Sequence, residues 1–286
     1  MFTTRASPHR TVFLVIVLLI LSALFILPFL WMLSTSLKTN AQTMQSPPVV
    51  LVKPQWQNYP AVLSSEKVNF RLFARNTLIL AALTVAGTVL SSAICAYGFA
   101  KIKFRGRNAL FLLMLATMMV PFPVTMVSMF SLFRWLGDTT GIEFIGTFKP
   151  LWVPAWFGNA FFIFLLRQFF MTVPDELSEA AKIDGCSELG IFFRVMLPLS
   201  RPALVVVALF TFMGVWNDFL GPLLYLQRPE QYTLALGLQS FQSQHGGAEW
   251  NLMMAASLMT IAPVIVLFFM AQRTFIQGIA TTGMKG

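Results

Sequence analysis

The feature that most constrains this chain is a run of 22 residues, 12–33, that contains no charged side chain. A helix needs about 20 apolar residues to cross the hydrocarbon core of a bilayer. Hydrophobic residues make up 57% of the 286 positions and charged residues 11%, whereas a soluble domain carries roughly 25% charged residues. The sequence therefore predicts an all-α membrane protein, built as one transmembrane domain over residues 1–286. The six predicted spans are 12–33, 77–99, 109–133, 151–166, 203–226 and 252–271.

Two of these spans contain prolines that predict irregular helices. Pro121 and Pro123 lie inside the third span, and a proline removes a helical hydrogen bond and kinks the helix. The fourth span is short and contains Pro154. The first span is longer than the apolar region of a typical cleaved signal, and no A-x-A site follows it, so we expect it to remain as an anchor.

Basic residues between the spans predict the orientation of the chain. The short segment 101–107 holds four Lys or Arg residues and no acid, and short basic loops face the cytoplasm. Both termini and the loop 167–202 then lie on the cytoplasmic side as well. The long loop 34–76 also carries five basic residues, but charges far from a span end influence orientation less. We therefore interpret the net charge of +9 as topology and predict no nucleic-acid partner.

The loop 167–202 is the most informative stretch between the spans. Pro174 suits the first turn of a short helix, and Asp175 and Glu176 then complement the positive end of its dipole. Gly185 suits the left-handed position just past the end of that helix. The apolar face of this helix consists of Leu177, Ala180, Ala181 and Ile183.

A second short helix is predicted after the glycine turn. Ser187 is placed to cap it, Pro198 to end it, and Pro202 to open the fifth span. Its apolar stripe consists of Ile191, Phe192, Val195 and Met196. Such a helix–turn–helix fits a cleft on another protein, where Glu179 and Asp184 face basic residues. It fits equally well an amphipathic linker lying on the membrane, and the residues alone leave both interpretations open.

Three short runs in this loop resemble a known family signature. Glu179-Ala180-Ala181, Asp184-Gly185 and Leu197-Pro198 are similar to the "EAA" signature of binding-protein-dependent ABC transporter permeases. The resemblance implies a type I importer permease fold, in which this loop forms coupling helices that sit in a groove of a separate ATPase subunit. The coupling residues that it implies are Glu179, Ala180, Ala181, Asp184 and Gly185.

Further motifs resemble the carbohydrate branch of that family, in particular the second permease of maltose, trehalose and glycerol-3-phosphate importers. These motifs are AYGFA at 96–100, FRGR at 104–107, LRQFF at 166–170, WND at 216–218 and GMKG at 283–286. The resemblance implies that the tail contacts the ATPase through Lys285 and Gly286. It also implies that an outer loop contacts a docked solute-binding protein through Gln242, Gln244, Gly246 and Gly247.

One acid lies inside the fifth predicted span. A charged side chain there costs about 2.5–3.5 kcal/mol on insertion scales, so Asp218 should face protein or a water-filled path. Together with Trp216 and Asn217 it would suit a polyol in a solute pathway. The plainer interpretation is a polar brace near the end of the span, beside Gly221 and Pro222. An alternative class of protein, a proton-coupled secondary transporter, would use Asp218 as its proton carrier.

These features predict the permease subunit of an ATP-binding-cassette importer for a sugar or sugar-like solute, in the inner (cytoplasmic) membrane of a bacterium or archaeon. The chain has no G-x-x-x-x-G-K-[ST] phosphate loop, so we predict no enzyme activity for it. We expect ATP and Mg on a dimeric ATPase partner, and neither a cofactor nor a metal in this chain. The other expected partners are a second permease subunit, an extracytoplasmic solute-binding protein and the lipid bilayer.

Overall fold

The computed structural model describes residues 8–45, 53–65, 68–241 and 249–283, and every regular element within these ranges is helical. The all-α prediction is confirmed. The α-helices are α1 (Pro8–Ser36), α2 (Asn40–Thr43), α3 (Asn58–Ser64), α4 (Phe70–Lys101), α5 (Arg107–Thr117), α6 (Phe122–Thr140), α7 (Lys149–Trp152), α8 (Ala160–Thr172), α9 (Asp175–Ile183), α10 (Glu188–Ile191), α11 (Leu197–Leu199), α12 (Arg201–Trp216), α13 (Leu220–Tyr225), α14 (Leu234–Leu238) and α15 (Trp250–Gly283). A π-helical turn spans Phe192–Met196, and 3₁₀ turns span Val153–Phe157, Pro229–Gln231 and Gln239–Phe241.

Among the described helices, four segments are long and apolar enough to cross a membrane, or up to six if each of two sharply bent pairs forms one span. The four segments are His9–Ser36, Phe70–Lys101, Lys149–Thr172 and Trp250–Gln272. They coincide with predicted spans one, two, four and six. The fourth contains a 3₁₀ turn around Pro154, which agrees with the irregularity expected there.

The third predicted span is broken rather than kinked. Its two helices, α5 and α6, meet at an angle of 97°, a sharper bend than the kink predicted from Pro121 and Pro123. Pro121 has an extended backbone at the break. In a continuous helix its ring would clash with the carbonyl group four residues earlier, which belongs to Thr117, the last residue of α5.

The fifth predicted span is also discontinuous. α12 ends at Trp216 and the chain resumes as α13 at Leu220, beside the Gly221-Pro222 pair. Pro222 accounts for the break, because in a continuous helix its ring would clash with the carbonyl group of Asp218. The 16 residues of α12 extend about 24 Å, less than the roughly 30 Å of the hydrocarbon core.

The chain divides into two compact units, one formed by 1–70 with 238–262 and the other by 71–237 with 263–286. The prediction of one transmembrane domain stays a prediction. Within the first unit the amide of Asn58 donates to the carbonyls of Ser36 and Lys38, at 2.7 and 2.9 Å. A buried hydrogen-bond network therefore fixes the start of α3 against the end of α1.

Within the second unit the core lies where α4, α8, α12 and the helices after Ser187 meet. Small residues of α4 allow the close approach, since a Cβ atom on Gly87 would lie 2.4 Å from the indole ring of Trp156. The hydroxyl group of Ser91 donates to the carbonyl of Ala155 at 3.0 Å. The buried core residues are Ala93, Ala96, Tyr97, Ile163, Leu166, Phe170, Val173, Ile191, Phe192, Met196, Ala203 and Val207. This core supports the segment that the sequence analysis singled out.

Candidate functional site

The first helix of the loop 167–202 is α9, and its ends follow local rules. Pro174 occupies the N-cap position, and Asp175 and Glu176 fill the first turn, where negative charge complements the helix dipole. Lys182 lies in the last turn, where positive charge does the same. The local sequence therefore specifies both the position and the direction of this helix.

A glycine turn ends α9 as predicted. Gly185 has a φ angle of +80°, a left-handed conformation that glycine adopts without steric cost. Its amide donates to the carbonyl of Lys182 at 3.0 Å, and the amide of Cys186 donates to the carbonyl of Ala181 at 2.9 Å. These two bonds form a Schellman motif, which satisfies the last carbonyls of the helix. The reversal is thus hydrogen-bonded rather than loose.

The second helical segment of the loop is Glu188–Leu199. The hydroxyl oxygen of Ser187 accepts a hydrogen bond from the amide of Gly190 at 3.2 Å, which confirms the predicted cap. The segment ends at Leu199, one residue after Pro198, which agrees with the end predicted from this proline. The bend of 79° into α12 follows at Ser200. The buried members of the predicted apolar stripe are Ile191, Phe192 and Met196.

The residues that resemblance assigns to coupling lie on α9 and its turn. Among them Ala181 is partly buried and packs against the core. The remaining four are exposed, namely Glu179, Ala180, Asp184 and Gly185. We call the segment 175–189 the knob. Its assigned residues are therefore open to contact from outside, while one alanine fixes the segment to the core.

The apolar face predicted for α9 is largely uncovered. Ala181 packs against the core, but Leu177 is 44% exposed and Ile183 is 87% exposed. Leu189, just after the turn, is 69% exposed. The knob therefore presents an apolar tip.

Lys101, at the end of α4, anchors the start of the knob. Its Nζ atom lies 2.5 Å from Oδ1 of Asp175 and 2.7 Å from the carbonyl oxygen of Val173. The hydrogen bond from Lys101, and then its charge, hold the pKa of the Asp175 carboxyl below its usual value. In the sequence Lys101 is only a topology signal, because nothing local indicates a partner 74 residues away.

Glu188 joins the two halves of the knob to α4. Its carboxylate accepts from Nζ of Lys182 at 2.6 Å and from the hydroxyl group of Tyr97 at 2.8 Å. The hydrogen bond from Lys182, followed by that from Tyr97, holds the pKa of Glu188 below its usual value. The ring of Tyr97 also packs 5.3 Å from that of Phe192. Sequence reasoning missed this cluster, since Tyr97 and Glu188 are 91 residues apart.

This arrangement suits the transmission of movement. The knob is closed by a Schellman motif and connected to α4 by Lys101 and Tyr97, while Phe192 and its neighbours enter the core shared with α8 and α12. Packed interiors resist compression and transmit strain. The knob is therefore in direct contact with α4 and with a core that α8 and α12 share.

The candidate solute-pathway residues, Trp216, Asn217 and Asp218, lie at the end of α12 and in the break that follows it. There they make structural contacts. Trp216 is 3% exposed. The amide of Asn217 donates to the carbonyl of Met213 at 2.8 Å, and Oδ1 of Asp218 accepts from the amide of Gly221 at 3.1 Å. These contacts brace the break, and a role in the solute pathway stays a prediction.

Two sets of predicted contact residues fall outside the described residues. They are Lys285 and Gly286 of the tail, and Gln242, Gln244, Gly246 and Gly247 of the outer loop. Their roles stay predictions. Within the described ranges no group of three or more His, Cys, Asp or Glu side chains is placed to hold a metal ion.

Residues 88–281 match the family described as the inner membrane component of binding-protein-dependent transport systems. The match includes the whole loop 167–202 and the core beneath it. The chain belongs to this family. Membership confirms the predicted multi-pass membrane permease, and it gives no support to the alternative of a proton-coupled secondary transporter.

Curated relatives cover almost the whole chain. The arabinooligosaccharide transport system permease protein AraQ of Bacillus subtilis is 33% identical over 288 residues, with 99% of each chain covered. The trehalose/maltose transport system permease protein MalG of Thermococcus litoralis is 29% identical, also with 99% of each covered. The sn-glycerol-3-phosphate permease UgpE of Yersinia pestis is 31% identical and covers 84% of this chain and 85% of its own.

A solved structure shares the fold. A chain of a bacterial ABC transporter that imports the acidic polysaccharide alginate superposes with a TM-score of 0.81 at 22% identity, covering 96% of this chain and 99% of its own. A second alginate transporter structure, bound to its periplasmic protein and an alginate pentasaccharide, gives a TM-score of 0.67 at 17% identity. The predicted ABC importer permease fold is thereby confirmed.

Proposed function

We propose that this permease is one of two that line the pathway of an ATP-binding-cassette importer for a sugar or sugar-like solute. Relatives named for arabinooligosaccharides and for trehalose and maltose match 99% of the chain, and this supports the carbohydrate class. A second permease subunit completes the pathway, and an extracytoplasmic binding protein delivers the solute. Both termini and the knob face the cytoplasm.

The single observation that carries the coupling role is the exposed and preformed knob. Its apolar tip, Ile183 and Leu189, lies beside Glu179 and Asp184. These two acids have no ion-pair partner among the described residues. A cleft with apolar walls and basic residues complements this surface.

The same charges argue against the alternative of a linker lying on the membrane. Anionic lipid headgroups attract basic segments, and they repel carboxylates. The exposed tip of the knob carries the acids Glu179 and Asp184, while the basic side chain of Lys182 is engaged with Glu188. We therefore propose that the tip is covered by the ATPase subunit rather than by lipid.

In this mechanism the partner ATPase binds ATP and Mg, and this chain performs no bond chemistry. Closure of the ATPase dimer moves the knob, and the contacts of Lys101 and Tyr97 carry that movement into α4. The core beneath Phe192 carries it into α8 and α12. The pathway opens outward to the loaded binding protein when ATP is bound, and hydrolysis returns it inward.

The coupling role is tested by adding bulk to the knob. Ala180 is exposed, so Ala180→Trp leaves the packing of this chain intact but obstructs a cleft fitted to an alanine. Thr172→Trp, at an exposed position at the end of α8, is the matched control. We expect Ala180→Trp to reduce co-purification of the ATPase and ATP-driven uptake at least tenfold, with the control unchanged. Full ATPase binding by the Ala180→Trp chain would refute the proposal.

The solute class is tested with the reconstituted importer. ATPase activity should be stimulated by the cognate binding protein loaded with an oligosaccharide, a disaccharide or a glycerol phosphate, and amino acids should give no stimulation. Stimulation by an amino acid alone would overturn the carbohydrate assignment while leaving the coupling role intact.

A further inference from the structure

A basic cluster lies where α4 turns into α5. Lys103 and Arg105 are exposed, and Arg107 is half-buried at the first residue of α5. Lys103 and Arg107 line an open cavity of about 280 Å³. The cavity is large enough for a phosphate group and part of its substituent. Its full lining is Lys103, Phe104, Gly106, Arg107, Asn108 and Ala109.

A fourth cation from α8 approaches this cluster. The Nε atom of Arg167 donates to the carbonyl of Phe99 at 3.2 Å, and its guanidinium lies 4.2 Å from the ring centre of Phe111. Phe111 lies one turn after Arg107 on α5, so Arg167 lies close to the cluster. No carboxylate lies within 4.0 Å of Lys103, Arg105, Arg107 or Arg167 in the described part of the chain.

Topology alone does not account for this arrangement. The positive-inside rule asks for basic residues in a short loop, but it does not require an arginine of another helix, Arg167, to lie against α5 beside that loop. Like charges in a partly buried site are unfavourable unless an anion neutralises them. Arginine also binds phosphate oxygens with two parallel hydrogen bonds. The cluster therefore has the chemistry of a phosphate site.

The surface next to the cluster is apolar and uncovered. On α5, Leu110 is 51% exposed, Leu112 is 65% exposed and Leu113 is 66% exposed. Phe104, in the cavity lining, is 40% exposed. Leucines on a candidate membrane segment suit fatty acyl chains, which a soluble phosphate compound lacks.

We propose that Lys103, Arg105 and Arg107, with Arg167 beside them, bind the phosphate headgroup of an anionic phospholipid whose acyl chains lie along α5. The lipid neutralises the cluster and fills the cavity between its side chains. It also holds the junction of α4 and α5, the point at which Lys101 anchors the knob. The site does not depend on which solute the importer carries.

Lipid binding to the purified full chain tests this site. The chain in detergent is titrated with phosphatidylglycerol or with phosphatidylcholine and followed by native mass spectrometry. Phosphatidylglycerol should bind saturably, with an affinity at least tenfold higher than that of phosphatidylcholine. Each basic side chain near an anionic membrane is worth about a fivefold change in affinity, so Lys103→Gln with Arg107→Gln should weaken binding about 25-fold. The control Arg134→Gln, at an exposed position in α6, should change it less than twofold.

A measurement on the unaltered chain makes the test independent of variant folding. Phosphatidylglycerol carrying a photoreactive headgroup should label residues 103–109 after irradiation. Equal binding of the two lipids, or labelling elsewhere, would overturn the proposal. Full competition by inorganic phosphate would show a soluble-anion site instead. Loss of ATPase binding in the Lys103→Gln, Arg107→Gln chain with unchanged lipid affinity would assign the cluster to the protein partner.

Discussion

Two interrupted segments of the second unit, the knob at 175–189 and the break at 217–222, use glycine for different physical reasons. Gly185 adopts a φ angle of +80° in open space, with nothing within 4 Å of the position of a Cβ atom. Gly221 has no such angle, but a Cβ atom there would lie 2.4 Å from Oδ2 of Asp218. One glycine is needed for its conformation and the other for its small size.

The acids of the two regions also differ, in where their hydrogen-bond partners lie. Asp218 accepts a hydrogen bond from a backbone amide three residues later. Asp175 and Glu188 instead meet Lys101 and Tyr97, which belong to α4. The break is thus closed by its own residues, whereas the knob is held from a neighbouring helix and stays exposed. A segment held in this way can move together with the helix that anchors it.

The largest effect is expected from filling the space at the break. Gly221→Asn should destabilise the chain by about 1–3 kcal/mol, because overpacking forces neighbouring groups to shift. Gly221→Ala should cost less, since its side chain is smaller. Thermal unfolding of the purified chain, followed by size-exclusion chromatography, measures both. Gly214→Ala in α12, where a Cβ atom meets nothing within 4 Å, is the control and should be neutral or stabilising.

In the ion pair between Lys101 and Asp175 that anchors the knob, loss of the Lys101 ammonium group should destabilise the knob more than loss of the Asp175 carboxylate. Lys101→Met leaves the carbonyl of Val173 unpaired, at a cost of about 1–3 kcal/mol. Asp175→Asn should cost less, because the Asp175 side chain is 76% exposed and that of Lys101 only 8%. The rate of tryptic cleavage after Lys182 reports local opening and should rise more in Lys101→Met. Equal rates in the two variants would show that the ammonium group does not organise the knob.

At Gly185, in the turn of the knob, asparagine should be tolerated better than alanine, which is the reverse of the order expected at Gly221. Gly185→Ala should cost about 1–2 kcal/mol, because an L residue is strained in the left-handed region. Gly185→Asn should cost less than Gly185→Ala, since asparagine tolerates that conformation and the surrounding space is open. The same tryptic assay compares them. If asparagine is worse than alanine at 185, as predicted at 221, the proposed difference between the two glycines is wrong.

The smallest effect is a dependence of knob order on acid pH. The folded pKa values of Asp175 and Glu188 lie below their ordinary values of 3.8 and 4.5, so a released knob binds more protons in that range. Order in the knob is therefore retained above about pH 4.5 and falls as the pH drops through the folded pKa values. Both groups are largely exposed, which keeps the effect small.

A spin label at Ile183→Cys, with Cys95 and Cys186 replaced by alanine, measures this change. The label should become more mobile as the pH falls below about 4.5. The chain with Asp175→Asn and Glu188→Gln provides the control, and its label mobility should not vary with pH in this range. A wild-type knob with constant mobility down to pH 3 would contradict the assigned ion pairs.

Local features of the candidate site were predictable because their causes lie within a few residues. The position of α9, the left-handed Gly185 and the Ser187 cap each follow from short-range hydrogen bonding. Prolines indicated both breaks, although the one at Pro121 is sharper than the predicted kink. In a continuous helix each proline ring would clash with the carbonyl group four residues earlier. The predicted spans extend across both breaks, because the apolar runs from which they were predicted continue where the helix does not.

Apolar composition and local motifs by themselves determined that this chain is an all-α membrane protein with an ordered helix–turn–helix between spans. Tertiary structure alone decided which of its polar groups meet, as Lys101 with Asp175, Tyr97 with Glu188, and Arg167 with the carbonyl of Phe99. It also decided that Ala180 and Ile183 remain exposed while Ala181 is covered. The reason is physical, because pairing between side chains 74 or 91 residues apart depends on how α4 packs, and no local pattern encodes that packing.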